Sequence, residues 1–522
     1  NIWYSEDSPI PVRTEELLCP GGGGILKIPA GTRKEATLEY DRVYGAYMAL
    51  SVKTKGLLKV SVRCFELEAE NSREEFLFTS DTEYRGLQMH SIGGYRLIVE
   101  NQSLSEAEIR IGAIATCYPA PECAITETSD EKLNKVLELC IQALKYCRQT
   151  MHLDSPRHCE PLACTGDYYI ESLMTAFSFG DMRLAAFDVR RTAELLRYHE
   201  GRMFHTTYSL IWVLMTYDVY MYTADRALLE DCLDGMMLLL KRFEGYVGAS
   251  GIIENPPNYM FVDWIEVDGM TLHHPPKNLG QSCINMLYYG ALGAAEKIYG
   301  ELSLDAMAEA CRKKAEKLKE AVNRLLYSEE IGLYCEGTNI PTPEAELNQW
   351  LPQSNGKIYY RKHANILAAY VGVCEGEKAK KVLRRVMEDT SLGGCQPYFM
   401  HFLLEAVFRN GLREEYTMQI LECWKESVAQ CSKGLQEGFI LPENYTFDLS
   451  HAWGGSPLYS LPKALLGFEM VRPGFEKIKL DLSLLGLSRA TVEMLTPYGK
   501  IVCTQKKNGE TVVSVPKEIL VV

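Results

Sequence analysis

One change of period dominates this chain. From Glu131 to about residue 465, apolar residues recur every three or four positions, as in Leu133, Val136, Leu137, Cys140 and Leu144. That spacing marks one face of an α-helix. The pattern returns over 206–223, 227–244, 280–299, 303–326, 361–373, 376–388, 396–409 and 412–430, with connections rich in Gly, Pro and Asn. No strand-like alternation interrupts it. A parallel sheet with crossover helices is therefore excluded, and a toroid or solenoid of helices is expected. No fixed repeat length accompanies the helices, which argues against a repeat array. The series opens at Thr128-Ser129-Asp130-Glu131, whose Thr-x-x-Glu form predicts a capping box.

The flanks read differently. Before residue 122, runs such as Leu58-Lys59-Val60-Ser61-Val62 and Tyr95-Arg96-Leu97-Ile98-Val99 alternate in strand fashion between glycine-rich turns at 21–24 and 91–94. After Gly467 the alternation resumes, with turns at Pro473-Gly474 and Lys507-Asn508-Gly509. The expected architecture is mainly α with flanking β. It comprises an N-terminal β-sandwich (1–122), a helical domain (123–466) and a C-terminal β-sandwich (467–522).

Composition narrows the partners. Lys and Arg number 55 against 69 Asp and Glu, a net charge of −14. With no basic stripe to neutralise phosphates, a nucleic-acid partner is excluded. Seventeen cysteines, an odd number with no Cys-x-x-Cys pair, read as reduced thiols and point to the cytoplasm. Asn1–Glu6 lack the basic start and apolar run of a secretory signal. No stretch is long and apolar enough to predict a membrane span. Oligomeric state leaves no trace in the sequence.

Chemistry concentrates in Asp154-Ser155-Pro156-Arg157-His158-Cys159-Glu160-Pro161-Leu162-Ala163-Cys164-Thr165-Gly166-Asp167. Its prolines and glycine stop a helix, and loops on rigid scaffolds are where catalytic groups tend to sit. Carboxylates this close repel one another and titrate apart, which makes one of them a candidate proton donor.

Four segments, taken in order, carry a resemblance. Glu160-Pro161-Leu162-Ala163-Cys164-Thr165-Gly166-Asp167 is similar to a Glu-x-x-Gly-Trp-Thr-Gly-Asp motif, and Phe261-Val262-Asp263-Trp264 to Phe-x-Asp-Trp. Trp424 is followed thirteen residues later by Glu437. Ser450-His451-Ala452-Trp453 precedes Leu466-Gly467, Arg472-Pro473-Gly474-Phe475 and Thr496-Pro497-Tyr498-Gly499. Together these segments resemble glycoside hydrolase family 78, the α-L-rhamnosidases among the six-hairpin glycosidases, over about 130–520. The resemblance implies an (α/α)6-barrel catalytic domain between β-sandwiches. It also implies removal of terminal α-L-rhamnose from a carbohydrate, with inversion and without a cofactor.

Inverting hydrolysis needs an acid for the leaving oxygen and a base for water, roughly 6.5–9.5 Å apart. The resemblance implies Glu160 as acid and Glu437 as base, with Glu443 on the same loop as the alternative base. Asp154 and Asp167 are expected to raise Glu160 by like-charge repulsion. Asp154, Arg157, Asp167, Asp263, Trp264, His451 and Trp453 are the expected sugar contacts. Simpler roles stand beside them: Asp167 as a helix N-cap, Trp264 as a core residue, His363 as a solvated helix end. His273-His274 lacks the partners of a metal site, and no metal is expected.

Two departures stand out. Cys159 replaces an acidic residue of the pattern, and Ala163-Cys164 replaces Gly-Trp. The sugar pocket is expected to change shape while the reaction class persists. Competing readings are another (α/α)6 glycosidase, a phosphorylase using Lys433 as anion donor near Glu437, and a sugar-binding relative without catalysis.

Overall fold

The structure is a computed structural model that describes residues 26–67, 70–120, 122–160, 163–254, 260–273, 275–338, 354–439 and 448–522, with the backbone of 11–15. β1 (Pro11–Glu15), β2 (Leu26–Ile28), β3 (Arg33–Lys53), β4 (Leu58–Phe65), β5 (Glu70–Phe78), β6 (Thr82–Asn101) and β7 (Ala107–Ala115) form one antiparallel sheet. Its order is β2-β7-β3-β6-β4-β5, with β1 on β3. The long strands β3 and β6 shift register between Glu39 and Tyr44 and between Tyr47 and Ala49. Such bulges bend a strand. The N-terminal β domain is thus one continuous sheet wrapped around a core that includes Leu38, Leu50, Val62, Leu97 and Ile109.

Twelve helices are present among the described residues. They are α1 (Glu131–Cys147), α2 (Thr165–Ser178), α3 (Arg183–Tyr198), α4 (Thr206–Thr223), α5 (Arg226–Glu244), α6 (Gln281–Glu301), α7 (Asp305–Leu326), α8 (Lys362–Val371), α9 (Gly376–Glu388), α10 (Pro397–Arg409), α11 (Arg413–Gln430) and α12 (Pro457–Leu466). Their burial alternates. The even-numbered helices are apolar and buried on most sides, whereas the odd-numbered ones carry an apolar stripe and a charged outer face. α2 packs on α4, α4 on α6, α6 on α8, α8 on α10, α10 on α12, and α12 returns to α2. The even helices therefore close an inner ring inside an outer one, the six-hairpin (α/α)6 arrangement.

Two local differences from the sequence reading fall at α1 and α3. Asp130 caps α1, its carboxylate accepting the N–H groups of Lys132 and Leu133, while Thr128 sits in a strand. The capping box is therefore absent. α3 is not among the periodic segments read from the sequence, although Leu184, Val189, Ala193 and Leu196 give it a buried stripe.

Two short ribbons, β9–β10 (Glu266–Val267, Met270–Thr271) and β11–β12 (Tyr327–Ser328, Leu333–Tyr334), lie between helices. The chain closes with β13 (Glu469–Arg472), β14 (Lys477–Lys479), β15 (Arg489–Thr496), β16 (Gly499–Lys506), β17 (Thr511–Ser514) and β18 (Leu520–Val521). They form two sheets, β13-β14-β18 and β17-β16-β15-β8, where β8 is Thr126–Thr128. The lead-in to the helical domain is thus an edge of the last sheet. The sixteen described cysteines are all free thiols. No helix among the described residues is long and apolar enough to cross a membrane.

Candidate active site

The segments entering α2, α4, α6 and α12 meet at one end of the ring, around a pocket of about 180 Å³. Asp154, His158, Glu160, Cys164 and Asp167 line it from the α2 side, and Glu437, His451 and Trp453 from the α12 side. His205, Tyr208, Phe261, Trp264 and His273 complete the wall. Glu160 and Glu437, far apart in the chain, border the same space. No Lys or Arg stands among the described residues that line it.

On the α2 side the loop is drawn tight. Cys159 adopts a left-handed φ of 48°, uncommon for a residue with a side chain, and its N–H donates to Ser155 O at 2.9 Å. Asp154 Oδ1 accepts the N–H of Glu160 at 2.8 Å. Cys164 donates its S–H to Glu160 Oε2 at 3.1 Å. Burial, reinforced by the charge of Glu160, pushes Asp154 up to about 7. Asp167 is raised well above the carboxylate range by burial first and then by Asp154, Glu160 and Glu437. It lies in the first turn of α2, whose N-cap position belongs to Cys164, so the N-cap role for Asp167 does not hold. Its Oδ1 has no hydrogen-bond partner among the described residues and lies 3.8 Å from His451 Nδ1, which also lacks one. Buried polar atoms left this way cost about 1–3 kcal/mol each, a penalty that a bound hydroxyl would remove.

On the α12 side the backbone fixes Glu437. Its N–H donates to Asp448 O at 2.9 Å, and its carbonyl accepts Trp453 Nε1–H at 3.1 Å. Asp448 is fully buried, and its Oδ1 accepts the N–H and hydroxyl of Ser450 at 3.0 and 2.8 Å. Burial opposes its ionisation, but the imidazoles of His451 and His158 and the surrounding hydrogen bonds hold it below its ordinary value. Burial pushes His451 down to about 3, so it is a neutral hydrogen-bonding ring at pH 7. Trp453 packs on His451, Tyr398 and Phe261 with ring centroids 4.3, 4.9 and 5.8 Å away. Trp264 stacks on His273 at 4.2 Å. Such faces suit the apolar C–H side of a sugar ring.

Two expected contacts lie elsewhere. Asp263 is 0% exposed and outside the pocket lining. Its Oδ2 meets His363 Nε2 at 2.8 Å and the N–H of Gln396 at 3.0 Å, while Oδ1 accepts the N–H of Trp264 at 2.9 Å. It anchors Trp264 instead of reaching a sugar. His363 is correspondingly buried, not solvated. Burial alone would lower it, but Cys395 and Asp263 push it up to about 10. Arg157 also lies outside the lining, with Nη1 3.3 Å from Glu66 Oε2 of the N-terminal sheet. Lys433 reaches Glu39 Oε2 at 3.2 Å and does not face the pocket, which removes the anion donor of the phosphorylase reading. Glu443 and His274 fall outside the described residues.

His158, His205, Tyr208 and His273 line the pocket without having been singled out as sugar contacts, and Asp448 backs it. His158 and Asp448 sit beside motif residues and could have been found there. His205 and Tyr208 open an apolar helix and carry no local mark. Ligand-type atoms of Glu437, Asp448 and His451 lie within 4.8 Å of one another, as do those of Asp263, His363 and Cys395. The first set could hold a cation, whereas the second is engaged by its own ion pair. Two-carboxylate hydrolysis needs a cation at neither.

A ring of six helix hairpins with acidic loops and aromatic walls at one end defines the class as a six-hairpin glycosidase fold. Residues 121–464 match the bacterial alpha-L-rhamnosidase 6 hairpin glycosidase domain, and the chain belongs to that family. Among solved structures it is similar to the GH78 family rhamnosidase of Bacillus sp. GL1, with TM-score 0.82 and 16% identity over 95% of this chain and 54% of that one. It is also similar to the alpha-L-rhamnosidase from Aspergillus terreus, with TM-score 0.74 and 14% identity over 97% and 61%. The rhamnosidase from Klebsiella oxytoca with rhamnose bound aligns with TM-score 0.68 and 16% identity over 87% and 94%. At these identities the likeness is one of fold, and the chain spans 54% of the length of the Bacillus protein. No curated protein matches the chain by sequence.

Proposed function

We propose that this protein is an inverting glycoside hydrolase that removes terminal α-L-rhamnose from glycosides or oligosaccharides. The observation that carries the reading is the shared pocket of Glu160 and Glu437, backed by unpartnered polar atoms on Asp167 and His451. In the proposed reaction Glu160 gives its proton to the glycosidic oxygen as the bond to the anomeric carbon breaks. Glu437 takes a proton from a water that attacks the opposite face. Burial, with the charge of Glu160 beside them, raises Asp154 to about 7 and Asp167 well above the carboxylate range, so in their protonated forms they can donate to sugar hydroxyls as well as accept from them. Trp453 and Trp264 supply aromatic surface for the apolar face and methyl group of a 6-deoxy sugar. The absence of a cationic side chain among the described lining residues weighs against uronides and against phosphate as the attacking group.

The test is a panel of aryl glycosides, α-L-rhamnoside first, followed by NMR of the anomer released. First appearance of β-L-rhamnose supports the proposal. Release of the α anomer would sink the inverting mechanism, and turnover of a different glycoside alone would move the specificity.

A further inference from the structure

A carboxyl group from another domain lies behind the pocket. Glu66, just after β4, is 3% exposed. Its Oε1 accepts the hydroxyls of Ser91 and Ser450, the latter at 2.9 Å. Its Oε2 accepts the N–H of Leu449 at 3.1 Å and lies 3.3 Å from Arg157 Nη1. Three pieces of chain meet there: the N-terminal sheet through Ser91, the loop of Glu160 through Arg157, and the segment 449–450. That segment follows Asp448, whose carbonyl holds the N–H of Glu437, and precedes His451 of the pocket wall. A backbone bond from Val43 N to Lys433 O at 3.0 Å ties the same sheet to the chain just before Glu437.

We infer that Glu66 is a positioning residue for hydrolysis, setting the separation of Glu160 and Glu437. The N-terminal β domain is then a working part of the catalytic centre. This rests on the proposed hydrolase reading. Neither tethered segment is a helix, and Ser450 is held by an isolated bridge to Leu435, by the Cys147 S–H on its carbonyl at 3.3 Å and by Ser91 Oγ at 2.9 Å. Each segment is held locally by its own bonds, and Glu66 is the side chain that joins both of them to the N-terminal sheet. Inversion depends on a gap wide enough for one water, and misplacement by about 1 Å costs about 100-fold in rate.

Glutamine fits the same place. Its amide oxygen can serve Leu449 and Arg157, and its NH2 can donate to the two serine hydroxyls with their roles reversed. Alanine keeps none of these bonds. The full chain carrying Glu66→Ala or Glu66→Gln is assayed on a rhamnoside with a poor leaving group, with circular dichroism confirming the fold at the assay temperature. Glu66→Ala is expected to lose about 100-fold in kcat while KM moves less than about threefold, and Glu66→Gln to return within about threefold of the parent. Arg157→Leu, which removes the ion pair between Glu66 and the Glu160 loop, is expected to lower kcat in the same direction and serves if Glu66→Ala does not fold. Should Glu66→Ala, or Arg157→Leu in its stead, lower the melting temperature yet keep the parental kcat, Glu66 is a domain clasp and the inference is overturned. A parent that hydrolyses no glycoside overturns the hydrolase reading, and this inference with it.

Discussion

Buried aspartates on the two sides of the pocket are shifted in opposite directions. On the α2 side Asp154 is pushed up to about 7, and Asp167 well above the carboxylate range. On the α12 side Asp448 is held below it. Depth does not separate them, since Asp154 is 4% exposed and Asp448 0%. Neighbours do. All three have carboxylates nearby, but Asp448 also has the imidazoles of His451 and His158, the Ser155 hydroxyl and the Ser450 N–H favouring its charged form. Burial alone therefore does not set the direction in which a carboxyl group is shifted here; its charged and hydrogen-bonding neighbours decide it.

The sharpest break of that contrast is Glu437→Ala. It is expected to lose about 10²- to 10⁴-fold in kcat whatever the leaving group, because water then has no base. Turnover of an activated and a natural rhamnoside checks this, and an unchanged rate would move the base to Glu443. Glu160→Gln should lose as much on a poorly leaving natural glycoside but little on an activated aryl rhamnoside, whose leaving group needs no proton. Equal losses on both substrates would take the acid role from Glu160.

A smaller effect separates the two sides through stability. Asp154 is raised, so the folded protein keeps a proton there that the unfolded chain releases. This group's contribution is present below about pH 4 and is lost as pH rises to about 7. Asn cannot ionise. The stability of Asp154→Asn relative to the parent should therefore grow by a few kcal/mol across that window and level off above it. Denaturant titrations at stepped pH read this out, and a flat difference would mean that Asp154 carries no raised proton. The smallest effect is expected from Cys164→Ala, which removes the S–H bond to Glu160 Oε2. About 1 kcal/mol, up to about tenfold in kcat on the natural glycoside, is the expected loss, with Ser restoring most of it.

What was legible in the sequence follows from how each part is held. The outer helices other than α3 announce themselves because one face meets water, which imprints the period on the chain. Of the inner helices, buried nearly all round, α4, α6, α8 and α10 were still readable as apolar segments, whereas α2 and α12, with Pro462 inside it, were not in that series. Asp154, Glu160, Asp167, His451 and Trp453 share the pocket and were readable because each sits in a local motif. Asp263 was misread for the same reason: an Asp-Trp pair looks like a sugar contact until burial reveals that both its oxygens are already engaged. Glu66 was out of reach, since its partners come from segments hundreds of residues away and nothing beside it in the sequence marks them.

The pairing of β8 with β15, Thr128 opposite Ala490 and Thr126 opposite Val492, also sets an order of events during synthesis. Domains generally fold as they emerge, amino end first. Here the lead-in to the helical ring leaves the ribosome long before the strand that latches it has been translated. The ring must assemble with its own entrance still unfastened, and only when β15 has been translated, about 360 residues after β8, is the first hairpin locked to that strand's sheet.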